Sequence, residues 1–508
     1  MTLEILLQPD TPENRILCDN VHPSDWVNPE PAGHYNLVVI GGGTAGLVCA
    51  AGAAGLGARV ALVERHLLGG DCLNVGCVPS KGVIRASRAV FDARAGAEFG
   101  VRGVDGVQAD FGEAMARMRQ LRAGLSGHDS ARRFRDELGV DVFIGQARFT
   151  APEVVEVDGK QLRFARAALC SGARAEAPPI PGLAAAGYLT NETVFSLTEL
   201  PPSLAVIGAG PVGCELAQAF ARFGSKVTLI GTSQQILGRE DLDAAAVLQD
   251  AFLRDGVVLE LGVKILGVEV RGGEKLLRLE RDGQTREVVA DSIMVGVGRA
   301  PNVEGLGLEE AGIRYDKSGV TVSDTLQTSN PRVYAAGDIC SAFKFTHLAD
   351  AQARLLIANA LFRGRQKNSK LTIPWCTYTD PEVAHVGLYE RDAQARGIEV
   401  TTLTVPFADL DRAVLDGETA GFARVHLKKG SDVILGATIV ARHAGEMINE
   451  LSLAIGSGLG LGAIGKTIHP YPTQAEAIKK LADAYNRTRL TPLVKRVLGA
   501  WLAWQRRS

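Results

Sequence analysis

The chain has 508 residues, with 55 Lys and Arg against 57 Asp and Glu for a formal net charge of −2, a length that accommodates roughly three domains. Near-neutrality excludes recruitment of a nucleic acid or other polyanion by a global field, so that role would need a local patch. Eight cysteines are too few for a disulfide scaffold, whereas glycine, 58 residues or about 11% against about 7% in average proteins, points to tight turns and phosphate-cradling loops.

Residues 1–34 carry Glu4, Asp10, Glu13, Asp19 and Asp25 without an uninterrupted apolar run, which argues against a secretory signal peptide and for a cytoplasmic protein. Pro9, Pro12, Pro23, Pro29 and Pro31 with no sustained period read as an extended N-terminal arm. Asn36 to Ala58 is uncharged over a membrane-length span, but its clustered glycines fit a nucleotide-binding unit better. Tyr35–Ile40 reads as a buried strand, Gly41–Gly46 as a turn, Leu47–Gly57 as a small-residue helix and Arg59–Val63 as a second strand. Gly41, Gly43 and Gly46 give G-x-G-x-x-G between strand and helix, where bare N–H groups and the helix dipole hold a pyrophosphate. Glu64 ends the second strand, placed to accept from ribose hydroxyls.

Phe111 to Leu138 reads as a polar helical region leading to the strand Val140–Ile144. Roughly 167 residues after the first unit the pattern recurs: strand Ser203–Ile207, turn with Gly208, Gly210 and Gly213, helix Cys214–Phe223, strand Lys226–Ile230. Two such units predict two dinucleotides. No acid follows the second strand. Thr232 and Ser233 stand there instead, which removes the obstacle to a 2′-phosphate and favours NADPH over NADH. From about Leu371, β-like runs (Val400–Val405, Ala423–Leu427, Val433–Ile439) alternate with helical ones (Met447–Ile455, Thr473–Tyr485), a separate α+β domain.

Between the first unit and the rest lies Gly69-Gly70-Asp71-Cys72-Leu73-Asn74-Val75-Gly76-Cys77-Val78-Pro79-Ser80-Lys81. On a regular helix, cysteines five apart have Cα atoms about 8 to 9 Å from each other, beyond the roughly 4.4 to 6.8 Å of a disulfide. Pairing Cys72 with Cys77 therefore needs an irregular turn, which Asn74 and Gly76 permit. The alternative is two buried, inert thiols.

This segment resembles the redox-active signature of the class I FAD-dependent pyridine nucleotide-disulfide oxidoreductases, the group of dihydrolipoamide dehydrogenase, glutathione reductase and mercuric reductase. Further matches follow in order: Ser171-Gly172, the second glycine unit with Glu215, Gly296-Val297-Gly298-Arg299-Ala300-Pro301-Asn302, Tyr334-Ala335-Ala336-Gly337-Asp338, and Thr379 to Gly387. The resemblance spans about residues 35–485. It implies an α/β fold of two Rossmann-like dinucleotide-binding domains plus a C-terminal α+β dimerisation domain. The expected boundaries are 1–34 for an N-terminal extension, 35–175 with 296–368 for FAD, 176–295 for NAD(P)H, 369–485 for the interface and 486–508 for a basic tail.

By the same resemblance, Cys77 is the thiolate that faces the flavin and forms its charge-transfer complex, and Cys72 the interchange thiol that attacks substrate. Lys81 sits near flavin N5, paired with Glu215. A lysine ammonium there favours reduced flavin and a neighbouring thiolate, and Glu215 offsets the cost of burying it. Asp338 binds the ribityl and pyrophosphate region, and Gly70, Ser171, Gly172 and Gly298 complete the cofactor contacts. A homodimer is implied, with each active site completed by the partner's C-terminal segment.

The C-terminal motif departs from the disulfide reductases of the group, which carry H-P-T-x-x-E. Here His469-Pro470-Tyr471-Pro472-Thr473-Gln474-Ala475-Glu476 puts Tyr471 in the histidine position and Glu476 in that of the acid. A phenol of pKa about 10 is a poor general base at neutral pH but can donate a hydrogen bond to a thiolate or its ligand; His469 is the alternative. Tyrosine here resembles mercuric reductases, yet no cysteine follows Cys376 and no N-terminal C-x-x-C is present, so neither metal-transfer pair of that branch exists. No resident metal site is expected.

Beyond the resemblance, Val494, Val497, Leu498, Trp501 and Trp504 share one helical face while Lys495, Arg496, Arg506 and Arg507 take the other, and no acid follows Asp483. Residues 491–508 can thus dock on an anionic membrane, on the dimer or on a partner. The expected activity is transfer of electrons from NADPH through FAD and the Cys72–Cys77 disulfide to a small disulfide. The second expectation is reduction of a soft metal ion or other thiol-bound electrophile, and the third a redox-responsive flavoprotein that docks to a membrane or partner.

Overall fold

A computed structural model describes residues 8–506, which form two compact units. The first comprises residues up to Ile236 together with Asp255–Leu371. Its largest sheet has a parallel half in the order Asp141–Ile144, Val60–Glu64, His34–Ile40, Lys160–Leu169. Val333–Ala335 also pairs parallel with Lys160–Leu169, and antiparallel strands Val154–Val157 and Arg148–Ala151 extend that side. Leu37, Val38, Val39 and Ile40 are all buried, the continuous apolar run of a parallel strand covered on both faces. The register Val38↔Ala61 and Val39↔Leu62 ends both strands at the glycine turn.

The helix after that turn runs Thr44–Gly55, so it starts within the glycine segment rather than at Leu47. Its backbone-only start leaves no side-chain signal to read. In the second dinucleotide motif the helix likewise begins early, at Pro211, whose fixed φ suits a first helical turn. It follows Ser203–Ile207, an inner strand of the parallel sheet in the order Val258–Leu261, Lys226–Gly231, Ser203–Ile207, Ser292–Val295. Both glycine turns are sterically obligatory. A Cβ on Gly46 would lie 1.7 Å from the Gly41 carbonyl oxygen, and one on Gly213 would lie 1.8 Å from that of Gly208.

The N-terminal arm is not extended throughout: Pro12–Val21 is a helix. Thr11 caps it by accepting from the Asn14 N–H at 3.3 Å, and Pro12 occupies the first turn, where proline initiates rather than breaks a helix. Only Asn14, Leu17 and Val21 face the core, too few for a visible period. The region 111–138 is likewise divided, with helices Phe111–Ser126 and Ala131–Asp136 separated by the 3₁₀ turn Gly127–Asp129.

The second unit comprises Leu237–Arg254 and Thr372–Ser508. Leu237–Arg254 lies in sequence within 176–295 but belongs to this compact body. Its antiparallel sheet runs Pro374–Thr377, Glu382–Gly387, Ile434–Ala441, Phe422–Lys428, Val400–Pro406, and its apolar core includes Ile448, Leu451, Ile478 and Leu481 from helices Ala444–Gly456 and Glu476–Thr488. Helix Pro492–Gln505 follows and buries none of its residues. Among the described residues no helix is long and apolar enough to cross a membrane.

Candidate active site

The two cysteines flank a break in helical structure. A short helix, Gly70–Asn74, ends at Val75, and a 19-residue helix, Cys77–Ala95, begins after Gly76. At Gly76 a Cβ would lie 2.7 Å from the Asp71 carbonyl oxygen, so this close approach admits glycine alone. The break replaces five residues of regular helix and brings Cys72 and Cys77 into hydrogen-bond range, both as free thiols.

Their environments differ. Cys77 is exposed to the cleft at the first position of the long helix, whose N-terminus has no side-chain cap; the helix dipole there favours a thiolate. The hydrogen bond from Cys72, helped by Thr346, whose Oγ1 lies 3.3 Å from the sulfur, and by the charge of Lys81, pulls the Cys77 thiol down to about 6 against the opposing effect of burial. Cys72 is pushed well above the ordinary thiol range, first by its bond to Cys77, then by burial and the charge on its neighbour. One proton is thus held on Cys72 while Cys77 is the anion.

One turn beyond Cys77, Lys81 Nζ donates to Glu215 Oε2 at 2.9 Å. The carboxylate is 6% exposed, and it comes from the helix of the second dinucleotide motif. A cleft of about 430 Å³ is lined by Gly41, Gly43, Glu64, Gly70, Cys72, Cys77, Lys81, Ser171, Gly172, Glu215 and Asp338. Helix Thr44–Gly55 points its N-terminus at this cleft from Gly43, with no side-chain cap and no acid in its first turn, so its leading N–H groups face outward as a diphosphate requires. At Gly43 a Cβ would meet nothing closer than Gly70 Cα at 3.7 Å, the open face of the cradle. These features fit FAD along the cleft.

Glu64 already accepts from the Gly42 N–H at 2.6 Å and the His66 N–H at 2.7 Å, which fixes the carboxylate at the cleft; burial raises its affinity for a proton, and these bonds oppose that. Asp338 is likewise raised by burial, with Arg299 and Lys344 working against it. Arg299 binds both Asp71 and Asp338 and joins the redox segment to the Gly337-Asp338 motif. Ser171 and Asn302 exchange bonds of 3.0 and 2.8 Å. In the second motif, Gly208 closes on the Gly296 carbonyl, Gly298 bonds the Glu176 N–H at 3.2 Å, and Thr232 and Ser233 are exposed after the strand. Sequence reasoning missed Thr346 and the roles of Arg299 and Lys344. Arg299 stood inside a recognised motif, whereas Thr346 has no local signal.

Tyr471 and Glu476 lie in the second unit and do not pair with each other. The Tyr471 hydroxyl donates to Asp411 Oδ2 at 2.7 Å, and that acceptor raises its pKa above the ordinary phenol value. His469 Nε2 lies 3.0 Å from Glu450 Oε1. Glu476 opens helix Glu476–Thr488, and its Oε2 is buried without a hydrogen bond. Within this chain Tyr471 and His469 thus each pair with an acid outside the motif, Asp411 and Glu450.

The family profile described as "Pyridine nucleotide-disulphide oxidoreductase" matches residues 35–353, and that of the family's dimerisation domain matches residues 373–482. A mercuric reductase of Staphylococcus aureus is 33% identical, covering 90% of this chain and 83% of that one. A dihydrolipoyl dehydrogenase of Chlamydia muridarum is 34% identical, covering 87% and 95%. Among solved structures, the HOCl-induced flavoprotein disulfide reductase RclA from Escherichia coli superposes with a TM-score of 0.79 at 26% identity, covering 88% and 99%. The chain belongs to the class I pyridine nucleotide-disulfide oxidoreductases, an FAD-dependent family that uses pyridine nucleotides. Its α/β architecture is that of the family.

A lowered thiol pKa keeps Cys77 anionic above pH about 6 and neutralises it as pH falls through that value. Alkylation of Cys77 in the reduced protein, followed by mass spectrometry, is expected to be half-maximal near that pH and flat by neutrality. In Lys81→Met the midpoint rises by about one unit. A wild-type rate still climbing near about 8.5, the free thiol value, contradicts the assignment.

Proposed function

We propose that this protein is an NADPH-dependent thiol–disulfide reductase acting on a small disulfide through Cys72 and Cys77. The carrying observation is the placement of Cys72 and Cys77 within hydrogen-bond range of each other in one cleft with the dinucleotide cradle and Lys81, where the surroundings pull the Cys77 thiol down and push that of Cys72 up. When bound, FAD supplies the ring that takes a hydride from the nicotinamide and delivers the electron pair to the disulfide. Gly41, Gly43, Gly46, Gly70, Glu64, Ser171, Gly172 and Asp338 would hold it, and Lys81, oriented by Glu215, would supply a positive charge to it and to the Cys77 thiolate. Gly208, Gly210, Gly213 and Gly298 seat the nicotinamide dinucleotide, and Thr232 and Ser233, with no acid beside them, favour NADPH.

In the outward half-reaction Cys72 passes its proton across the hydrogen bond to Cys77 and attacks one sulfur of the substrate, whose other sulfur leaves as a thiolate. That thiolate takes the proton. Cys77, again anionic, attacks the Cys72 sulfur, closes the internal disulfide and releases the second half as a thiolate, which water protonates. The protein acts as a homodimer in the cytoplasm, with Tyr471 and Glu476 of the partner subunit completing the thiol site. Tyr471 steadies a thiolate or thiol-bound ligand as a hydrogen-bond donor.

A second reading, reduction of a soft metal ion, is supported by tyrosine at position 471 and by relatives named mercuric reductase; a Cu(II) complex of RclA, at 26% identity, adds to it. A panel of low-molecular-weight disulfides, Hg(II) and Cu(II), assayed with NADPH and NADH, separates the two. The first reading expects turnover of at least one disulfide, loss of that turnover in Cys72→Ser, and a gain of about tenfold or more in Tyr471→His, which supplies a base. Metal reduction with no disulfide turned over overturns it in favour of the second.

We also propose that helix Pro492–Gln505 lies on an anionic membrane surface. Its large apolar residues, from Leu493 at 67% to Trp504 at 60%, are exposed, and its only charges are Lys495 and Arg496, with Arg506 at its C-terminal cap. Tryptophans beside a purely basic face match an anionic headgroup layer. The holoenzyme is expected to co-sediment with phosphatidylserine-containing vesicles, and a chain lacking 491–508 is not. Equal sedimentation of both, or a monomeric truncated chain, which assigns the helix to the dimer, contradicts this.

A further inference from the structure

Arg122 is 2% exposed on helix Phe111–Ser126, and both of its hydrogen-bond acceptors are neutral amide oxygens. Its Nη1 donates to the Asn74 carbonyl at 2.7 Å and its Nη2 to Asn14 Oδ1 at 2.7 Å, both bonds buried, while Nε has no partner. A buried cation bound only to neutral oxygens is costly. Asn74 is the last residue of the short helix that carries Cys72. Its carbonyl and that of Val75 face the break before Cys77, where neither can continue a helical ladder. Arg122 satisfies the first and Asn191 Nδ2, at 3.1 Å, the second. The Asn74 side chain is tied back to the Leu68 and Gly70 carbonyls at 3.0 and 2.8 Å, so the Arg122 guanidinium is the buried charged anchor of a turn otherwise held by amide and backbone bonds.

The other end of that guanidinium rests on the N-terminal helix. Asn14 is 1% exposed and donates to the Pro9 carbonyl at 2.8 Å, which orients its amide oxygen toward Arg122. The same arm bonds the redox segment directly, since the Leu68 N–H donates to the Val21 carbonyl at 3.2 Å. Residues 12–21 lie before position 35, where the family match begins, so this support comes from outside the shared domain.

We propose that Arg122, held by Asn14, is a positioning residue that sets the redox equilibrium of the Cys72–Cys77 pair by fixing the turn between them. The inference rests on the reading of Cys72 and Cys77 as the redox pair. Ring closure of a dithiol, 2 RSH + GSSG giving RSSR + 2 GSH, depends on the effective concentration of one sulfur at the other, which a fixed turn raises. Releasing the Asn74 carbonyl lets the turn relax and makes the disulfide easier to reduce. A charged helix-end contact merely holding the fold together would lower stability and leave that equilibrium unchanged.

The test equilibrates the holoenzyme in glutathione buffers and quantifies Cys72 and Cys77 by alkylation and mass spectrometry, for wild type, Arg122→Met, Arg122→Lys and Asn14→Ala. In Arg122→Met the constant is expected to move toward the dithiol by about tenfold, or about 30 mV for a two-electron couple. Asn14→Ala shifts it the same way by a smaller factor, and Arg122→Lys, which keeps one donor for the Asn74 carbonyl, recovers part of the wild-type value. Should Arg122→Met not fold, Asn14→Ala and Arg122→Lys carry the comparison. Variants with the wild-type constant and only a lower melting temperature overturn the inference. If the wild-type cysteines themselves fail to exchange with glutathione as a pair, the redox reading fails first and this inference with it.

Discussion

Everything at this site depends on a two-residue interruption of helical structure at Val75 and Gly76. A continuous helix would hold Cys72 and Cys77 beyond disulfide range. The interruption brings them into hydrogen-bond range and places Cys77 at the start of a helix that runs on to Ala95. Proximity lets the sulfurs share a proton, and Thr346 and the charge of Lys81 favour Cys77 as the one that gives it up. Backbone geometry thus creates the pair, and its neighbours make it asymmetric.

Around that break, charges arrive from distant parts of the chain. Lys81 is carried on the same helix as Cys77, while Glu215, which pairs with it, comes from the helix of the second dinucleotide motif. The ion pair therefore ties the redox helix to the second nucleotide-binding element, and it supplies the positive charge beside Cys77 while keeping the carboxylate from being buried alone. Arg299 performs a parallel role on the other flank by binding both Asp71 and Asp338. The cleft is a place where one thiolate, one ammonium and a cradle of backbone N–H groups converge, an arrangement suited to moving electron pairs between a dinucleotide and sulfur.

The parts of this site that could be read from the sequence are those set by local stereochemistry. Gly46 and Gly213 announce themselves because any side chain would collide with a carbonyl of their own turn, and the missing acid at Thr232-Ser233 is a property of two neighbouring residues. The helix starts at Thr44 and Pro211 are hidden from the sequence because the glycine turn and the first helical turn share the same residues. Long-range partnerships left no trace: Thr346 reaches Cys77 across 269 positions, Asn14 reaches Arg122 across 108, and Tyr471 takes Asp411, 60 positions earlier, rather than the nearby Glu476. The N-terminal helix escaped notice because prolines that begin a helix resemble prolines that forbid one, and because its buried face holds only three residues.

The central claim is that the electron pair leaves the nicotinamide and comes to rest on the two sulfurs flanking the break. Adding one equivalent of NADPH anaerobically to the oxidised holoenzyme, then alkylating and mapping the thiols, tests it most directly. The account predicts that neither Cys72 nor Cys77 is labelled before the addition and that both are labelled after it. Loss of the oxidised flavin absorbance with labelling at Cys72 and Cys77 unchanged would contradict it.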